Sequence, residues 1–388
     1  MVTRGPSGRY EVTTTVGETV RAFVPAPLPP APPLDLTGPR QVLLEKALLA
    51  LGRLDGLSTL LPDPGLFLYA YVRREAVLSS QIEGTQSSLS DLLLFEVEGV
   101  AGVPFDDVVE VSNYVAALEH GLARLDGGFP LSNRLLREVH EVLLSRGRGA
   151  DKQPGEFRRS QNWIGGTRPG NAQFVPPAPE RLADCMAELE RFFHFEEGVP
   201  ALVKAALAHV QFETIHPFID GKGRVGRLLI ALMLHVAGVL RQPLLYLSVY
   251  FKQHRSEYYR LLEEVRLTGE WEAWVDFYLD GVVETAGAAV ETAHRLLALF
   301  EADAERVRAL GRAGGSVLRV FDVLRERPVT TINLLAARTG LTYPTAARAV
   351  ASLGGLGIVD EITGRRRDRV FAYRRYLDIL NEGAGEPL

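Results

Sequence analysis

Residues 215–227 read IHPFIDGKGRVGR and stand directly before the apolar run LLIALMLHVAGVL (228–240). One short loop therefore carries a histidine, an aspartate, three glycines and two arginines. A turn needs one or two glycines and a salt bridge needs one arginine, so the surplus points to a ligand. Glycines ahead of a helix let backbone N–H groups converge on an anion, and the helix dipole favours the same charge. Arg224 and Arg227 are three residues apart, so both can lie over the first helical turn and face one anion. From Gly221 to Ser256 the Asp, Glu, Lys and Arg positions are all basic: Lys222, Arg224, Arg227, Arg241, Lys252 and Arg255. Asp220 beside such a nest makes sense as a ligand for Mg²⁺ bridging phosphates. His216 then supplies a neutral base for a hydroxyl that attacks phosphorus. A plain glycine-rich turn accounts for any one of these residues, with His216 as a cap or Asp220 paired to Arg224. It does not account for the set.

Two nucleotide-site readings fail on context. Gly221-x-Gly223-x-x-Gly226 matches a dinucleotide fingerprint, but a helical pattern (VKAALAHVQFETI) precedes it instead of a strand. No acidic residue follows for the ribose, and the Lys-Ser/Thr ending of a P-loop is missing. Composition narrows the class further. The 388 residues carry a net charge of −5, which excludes a globally basic nucleic-acid binder but not a local basic patch. The single cysteine, Cys185, excludes an intramolecular disulfide, and its helical context predicts packing. The first residues lack the apolar segment of a signal peptide, and the run at 228–240 is too short to span a bilayer. A soluble, cytoplasmic protein without membrane contact is expected.

Periodicity divides the chain into segments. Residues 1–40 are polar and then Pro-rich (VPAPLPPAPPLDL), which predicts an extended arm in place of a core element. Helical spacing begins near residue 41 and holds to about 96, then over 108–125 and 131–146. DKQPGEFRRSQNWIGGTRPGNAQFVPPAP, from residue 151, predicts a hairpin or flap with exposed edges. Helices resume at 179–195 and 201–214 and continue after the quoted loop to about 311, where GRAGGS (311–316) makes a hinge. The tail, 316–380, reads as a helix, two short helices about a Gly-containing turn, and two strands around the basic tip GRRRDR. That order is the winged-helix plan.

HPFIDGKGRVGR resembles the signature of the Fic family, His-x-Phe-x-Asp/Glu-Gly-Asn-Gly-Arg-x-x-Arg, with Lys222 where the family usually has Asn. The resemblance implies transfer of AMP from ATP, with Mg²⁺, to a Ser, Thr or Tyr hydroxyl of a target protein, or to the chain itself. His216 would be the general base and Asp220 the Mg²⁺ ligand. Gly221, Lys222 and Gly223 would line the anion nest, and Arg224 and Arg227 would bind the β- and γ-phosphates. Phe218 would anchor the loop in the core. SSQIEG (79–84) resembles the family's inhibitory motif, Ser/Thr-x-x-x-Glu-Gly/Asn: Ser79 and Glu83 are four apart and Gly84 suits a helix end. Glu83 would then deny Arg227 to the γ-phosphate. PGEFRRSQNWIGG and AQFVPPAP resemble the family's flap, whose exposed strand edge would hold an extended target segment.

The expected fold is mainly α: a Fic-type helical catalytic domain with a β-hairpin flap, plus a C-terminal winged helix-turn-helix domain. The expected segments are an N-terminal arm and helical region with the inhibitory motif (1–110), the Fic catalytic domain (111–311) and the winged helix (316–380). Family members often form dimers, so a homodimer is expected. Removal of AMP at the same site, or phosphate transfer, are alternative chemistries. The competing class is a DNA-binding regulator whose site senses a nucleotide, with Arg348 and the wing residues Arg365, Arg366, Arg367 and Arg369 on the DNA backbone. Tyr258 and Tyr259 lie near the expected adenine end, although aromatics at helical spacing more often pack in a core.

Overall fold

The computed structural model describes residues 4–60, 64–98, 105–194, 198–311 and 314–382. Arg312 and Ala313 of the expected hinge, and residues 99–104 of the expected N-terminal segment, lie outside the described residues. The chain opens with strands β1 (Gly8–Thr15) and β2 (Glu18–Pro25), followed by helices α1 (Pro39–Leu60), α2 (Pro64–Ile82), α3 (Leu89–Glu98) and α4 (Phe105–Asp126). Then come α5 (Asn133–Leu143), α6 (Pro179–Phe193), α7 (Ala201–Ile215), α8 (Lys222–Val236), α9 (Ser248–Gln253), α10 (Arg255–Thr268) and α11 (Trp271–Arg308). The tail holds α12 (Gly314–Glu326), β3 (Val329–Thr331), α13 (Ile332–Thr339), α14 (Tyr343–Gly355), β4 (Asp360–Glu361), β5 (Val370–Ala372) and α15 (Arg374–Asn381). The fold is mainly helical, as the periodicity predicts. No helix among the described residues is long and apolar enough to cross a membrane.

The chain forms two compact units, each discontinuous in sequence: Met1–Asp55 with Asn113–Ala286, and Gly56–Ser112 with Gly287–Leu388. The segments expected from the sequence run one after another, whereas packing groups the tail with α2 and α3. In the first unit α7 is the central helix. It is apolar nearly all round, as the sequence ALVKAALAHVQFETI requires for a helix buried on every side. α8, α6 and α10 pack against it, and α5 packs against α6 and α8. Trp274 of α11 is fully buried and donates its indole N–H to the Ala206 carbonyl of α7 at 2.9 Å.

The N-terminal segment departs from the expected extended arm. β1 and β2 form an antiparallel hairpin with the register Gly8↔Pro25 to Thr15↔Glu18. Its two-residue turn, Val16-Gly17, has φ of 50° and 77°, the left-handed pair that matches strand twist. VTTTVGETV is dense in the β-branched residues Thr and Val, a strand signal that the neighbouring prolines overshadow. Ala22 and Phe23 are fully buried, so the hairpin contributes to the core. The Pro-rich stretch folds back as well, because prolines lack a donor but keep their carbonyls. Arg4 donates to the carbonyls of Pro32 (2.7 Å) and Pro33 (2.9 Å) while forming a bidentate pair with Glu272 at 2.5 and 2.6 Å.

In the second unit β3, β5 and β4 make an antiparallel sheet in that order, with Val329↔Ala372 and Asp360↔Ala372 as partners. α12 packs against α13, α14 and α2, and α15 also packs against α2. Thr331 caps α13 by accepting from the Leu334 N–H, and Gly340 (φ 66°) ends it. α12, α13, α14, β4 and β5 fall where the sequence predicts a helix, two short helices and two strands, whereas β3 and α15 are elements that the sequence reading does not contain.

Candidate active site

α7 ends at His216, which takes a left-handed conformation (φ 55°, ψ 57°) while its N–H still donates to Phe212. The chain then crosses four residues to Gly221, again left-handed (φ 71°), which starts α8 with no side-chain cap. The N–H groups of the first turn of α8 are thus left for an incoming anion, at the positive end of a 15-residue helix. Arg224 and Arg227 lie in the first two turns and are 2% and 5% exposed. Gly226 lets α7 and α8 close on each other: an added Cβ would come within 2.3 Å of Glu213 Oε1. Its carbonyl accepts from His209 Nδ1 at 2.9 Å.

The loop is held from both sides. On one side His140 of α5 stacks on Phe218, with centroids 3.7 Å apart and planes 10° from parallel. Its Nδ1 accepts from the Gly155 N–H at 3.0 Å, so Nε2 carries the proton and donates to the Asp220 carbonyl at 3.0 Å. Burial pushes His140 down to about 4, which keeps that tautomer neutral. Phe218 is fully buried among His140, Phe157 and Phe212, the anchoring role expected of it. On the other side Arg158, itself 2% exposed, donates Nε to the His216 carbonyl at 2.9 Å and Nη2 to the carbonyls of Pro177 and Ile215. Its backbone N–H also donates to the Pro217 carbonyl at 2.9 Å. Burial lowers the Arg158 guanidinium to about 10, still charged at neutral pH. Neither His140 nor Arg158 stands out in the sequence, since each acts on backbone atoms far along the chain.

His216 is buried (3% exposed), and its Nδ1 lies 3.3 Å from the Glu213 carbonyl. A carbonyl can only accept, so Nδ1 carries the proton and Nε2 keeps its lone pair. Burial first, and then the charge of Lys222, hold the ring well below the usual 6.5. The ring is therefore a neutral base at physiological pH. Asp220 Oδ1 accepts from the Gly221 N–H at 2.6 Å and lies 3.5 Å from Arg224 Nη2. The Asp220 carboxylate is about one-third exposed, and Gly149 (φ 89°) keeps the adjoining loop clear of Oδ2. One accessible carboxylate beside an open helix start fits Mg²⁺, which commonly takes one or two protein carboxylates and completes its shell with phosphates and water.

The expected flap is a hairpin closed by one antiparallel bridge, Ile164↔Phe174. One of its edges differs from expectation. The Phe23 N–H donates to the Val175 carbonyl at 2.8 Å, so β2 covers that side. Arg266 lies over the Phe174 ring at 4.2 Å and contributes to the depression of His216. Tyr258 is a core residue, 1% exposed and within 2.8 Å of His209 Nε2, whereas Tyr259 is exposed. Cys185 is buried and its thiol is raised to about 11, in keeping with a packing role.

In the second unit, α2 ends at Ile82, immediately before Glu83 and Gly84. Ser79 is buried within α2, Glu83 is exposed, and Gly84 turns the chain with φ 100°.

Comparison with known proteins places this geometry. Residues 42–123 match the Fic/DOC family N-terminal region, and residues 130–234 match the Fic/DOC family. The chain therefore carries a Fic/DOC N-terminal region followed by a Fic/DOC domain. The protein adenylyltransferase Fic of Culex quinquefasciatus is 31% identical over 251 residues, covering 61% of this chain and 47% of the relative. That of Drosophila ananassae is 32% identical over 208 residues, covering 53% and 39%. The chain thus spans less than half the length of the curated relatives it matches. A Fic family protein from Desulfovibrio desulfuricans G20 shares the fold, with a TM-score of 0.57 and 22% identity over 88% of this chain and 97% of that one.

Proposed function

We propose that this Fic/DOC chain transfers AMP from ATP to a hydroxyl of a target protein. The observation that carries the reading is the held His216: neutral, with Nδ1 turned to the Glu213 carbonyl and Nε2 left basic, next to an uncapped helix start that carries two arginines. His216 Nε2 takes the proton of a Ser, Thr or Tyr hydroxyl as its oxygen bonds to the α-phosphorus. The bond from that phosphorus to the β-phosphate bridging oxygen breaks, and pyrophosphate leaves. Arg224 and Arg227 hold the β- and γ-phosphates, and the N–H groups around Gly221, Lys222 and Gly223 hold the remaining oxygens. Lys222, which already bears on His216, adds a cation where the family signature has a neutral side chain. Asp220 would hold Mg²⁺, which would supply neutralisation of phosphate charge. Ser79, Glu83 and Gly84 form an inhibitory element in which Glu83 restrains transfer. The place of work is the cytoplasm, the active form is a homodimer, and the target segment lies along the flap.

The test is intact-mass measurement after incubation with Mg²⁺ and ATP, using wild type, Glu83→Gly and Glu83→Gly/His216→Ala. An AMP-sized adduct confined to Glu83→Gly is expected, with the chain as its own target. A phosphate-sized adduct, or an adduct that survives His216→Ala, would overturn the assignment.

The tail supports a second reading, nucleic-acid contact through a winged helix. Arg348 of α14 and Arg365, Arg366, Arg367 and Arg369 of the β4–β5 loop are all exposed, a footprint suited to a DNA backbone. Salt-dependent binding of the full chain to duplex DNA, lost on replacing the loop arginines, is the expected result.

A further inference from the structure

α1, PRQVLLEKALLALGRLDGLSTL, has no single apolar stripe: its aliphatic residues fall on several sides, with charged residues between them. Its inward side is accounted for: Ala47, Leu51 and Leu54 are buried. On the outward side Val42, Leu48 and Leu49 stand 50%, 46% and 64% exposed. Exposed aliphatics gathered on one helix and flanked by charges mark a contact surface, so these three call for a cover.

The charges flanking these aliphatics identify the cover. Glu45, Leu49 and Arg53 are spaced by four and form one ridge of the helix surface, the kind of ridge that packs beside its counterpart on a second helix. Read in one direction the ridge is minus, apolar, plus. Turned end to end about Leu49 it is plus, apolar, minus. Two copies laid antiparallel therefore set Leu49 on Leu49 and bring each Glu45 to the other's Arg53, the self-complementarity that a two-fold interface requires. Both charges are available for it. Arg53 is exposed and makes no ion pair among the described residues, and Glu45 only accepts from Gln41 Nε2 at 3.1 Å. Lys46, on the flank, lies within electrostatic reach of Asp280 of its own chain. Gly52 has no atom within 4 Å of where a Cβ would stand, so a second helix can approach closely.

We propose that the outward face of α1 is a homodimer interface, formed by antiparallel pairing of α1 with α1 of a second copy about Leu49. The proposal gives a surface to the homodimer of the proposed function and rests on that part of it alone. One helix pair lies below the usual size of a stable interface, so the dimer is concentration-dependent, with a Kd in about the micromolar range.

Sedimentation velocity of the full chain across that range tests it. Leu49→Glu and Glu45→Arg should each raise the dimer Kd at least about tenfold. The double variant Glu45→Arg/Arg53→Glu should restore it, because the ridge is again self-complementary. All three positions are exposed, so melting temperature should hold. If Leu49→Glu lowers it, the charge-reversal pair decides. A dimer indifferent to all these variants would overturn the α1 interface and leave the homodimer standing. A monomer at every concentration would overturn both.

Discussion

The loop at 216–221 and the loop at 362–369 are both short and glycine-containing and sit beside arginines, yet they hold their cations in opposite ways. Beside the first, Arg224 and Arg227 are almost fully buried, and Arg158 and His140 fasten the loop by its carbonyls at His216, Pro217 and Asp220. In the second, Arg365, Arg366, Arg367 and Arg369 point to solvent, and the loop is shaped mainly by Glu361, which accepts from the N–H groups of Thr363 and Gly364. A buried cation is stable only where acceptors are fixed in place, so its geometry is set before a ligand arrives. An exposed arginine is screened and mobile, and suits a surface that tolerates many registers. Similar residue types therefore form a fixed, buried cation cluster in one region and a solvated, adaptable one in the other.

The largest effect is expected at His216. His216→Ala should lower AMP transfer by roughly 10²–10⁴-fold, the usual worth of a general base, with little change in ATP affinity. Single-turnover labelling and calorimetry on the Glu83→Gly background separate the two quantities. Next comes Arg158, which touches no reacting atom and acts by placing His216. Arg158→Met should reduce kcat by up to about 100-fold through misplacement, with KM for ATP nearly unchanged, and Arg158→Lys should recover part of the loss. A fall in both variants that only tracks a lower melting temperature would reduce Arg158 to a stabilising role.

Acid should act on the same clamp. His140 is held near 4 in the folded chain and returns to about 6.5 on unfolding. Between those values the unfolded chain binds the extra proton, so stability falls as pH drops from about 6.5 to 4, by at most roughly 1.4 kcal/mol per pH unit. Melting temperature against pH should show this slope added to those of His209 and His216, which burial also depresses, and His140→Gln should reduce the total without removing it. The smallest effect is expected in the 362–369 loop. Replacing Arg365, Arg366 and Arg367 together by Ala should move stability by no more than about 0.5 kcal/mol and leave labelling intact, while weakening DNA binding and its salt dependence. A loss of labelling in that variant would erase the contrast between the two loops.

The N-terminal hairpin shows where local reading stops. Prolines at 25–33 carry a strong local preference for extended chain, and nothing within those residues reveals that Arg4, held by Glu272, will gather the carbonyls of Pro32 and Pro33. The tail is easier to read, because caps such as Thr331 and Gly340 act on neighbours a few residues away.

The stretch from His216 to Arg227 carries its chemistry in consecutive residues. A base, a carboxylate, glycines and two arginines at helical spacing are recognisable from the order of residues alone, because a helix start brings neighbours in sequence together in space. The clamp is different. Arg158 reaches the His216 carbonyl from 58 residues away and His140 reaches the Asp220 carbonyl from 80. Every residue has a carbonyl, so a side chain that binds one leaves no pattern in the sequence. Folding alone brings them together, and with them the state in which His216 is a base.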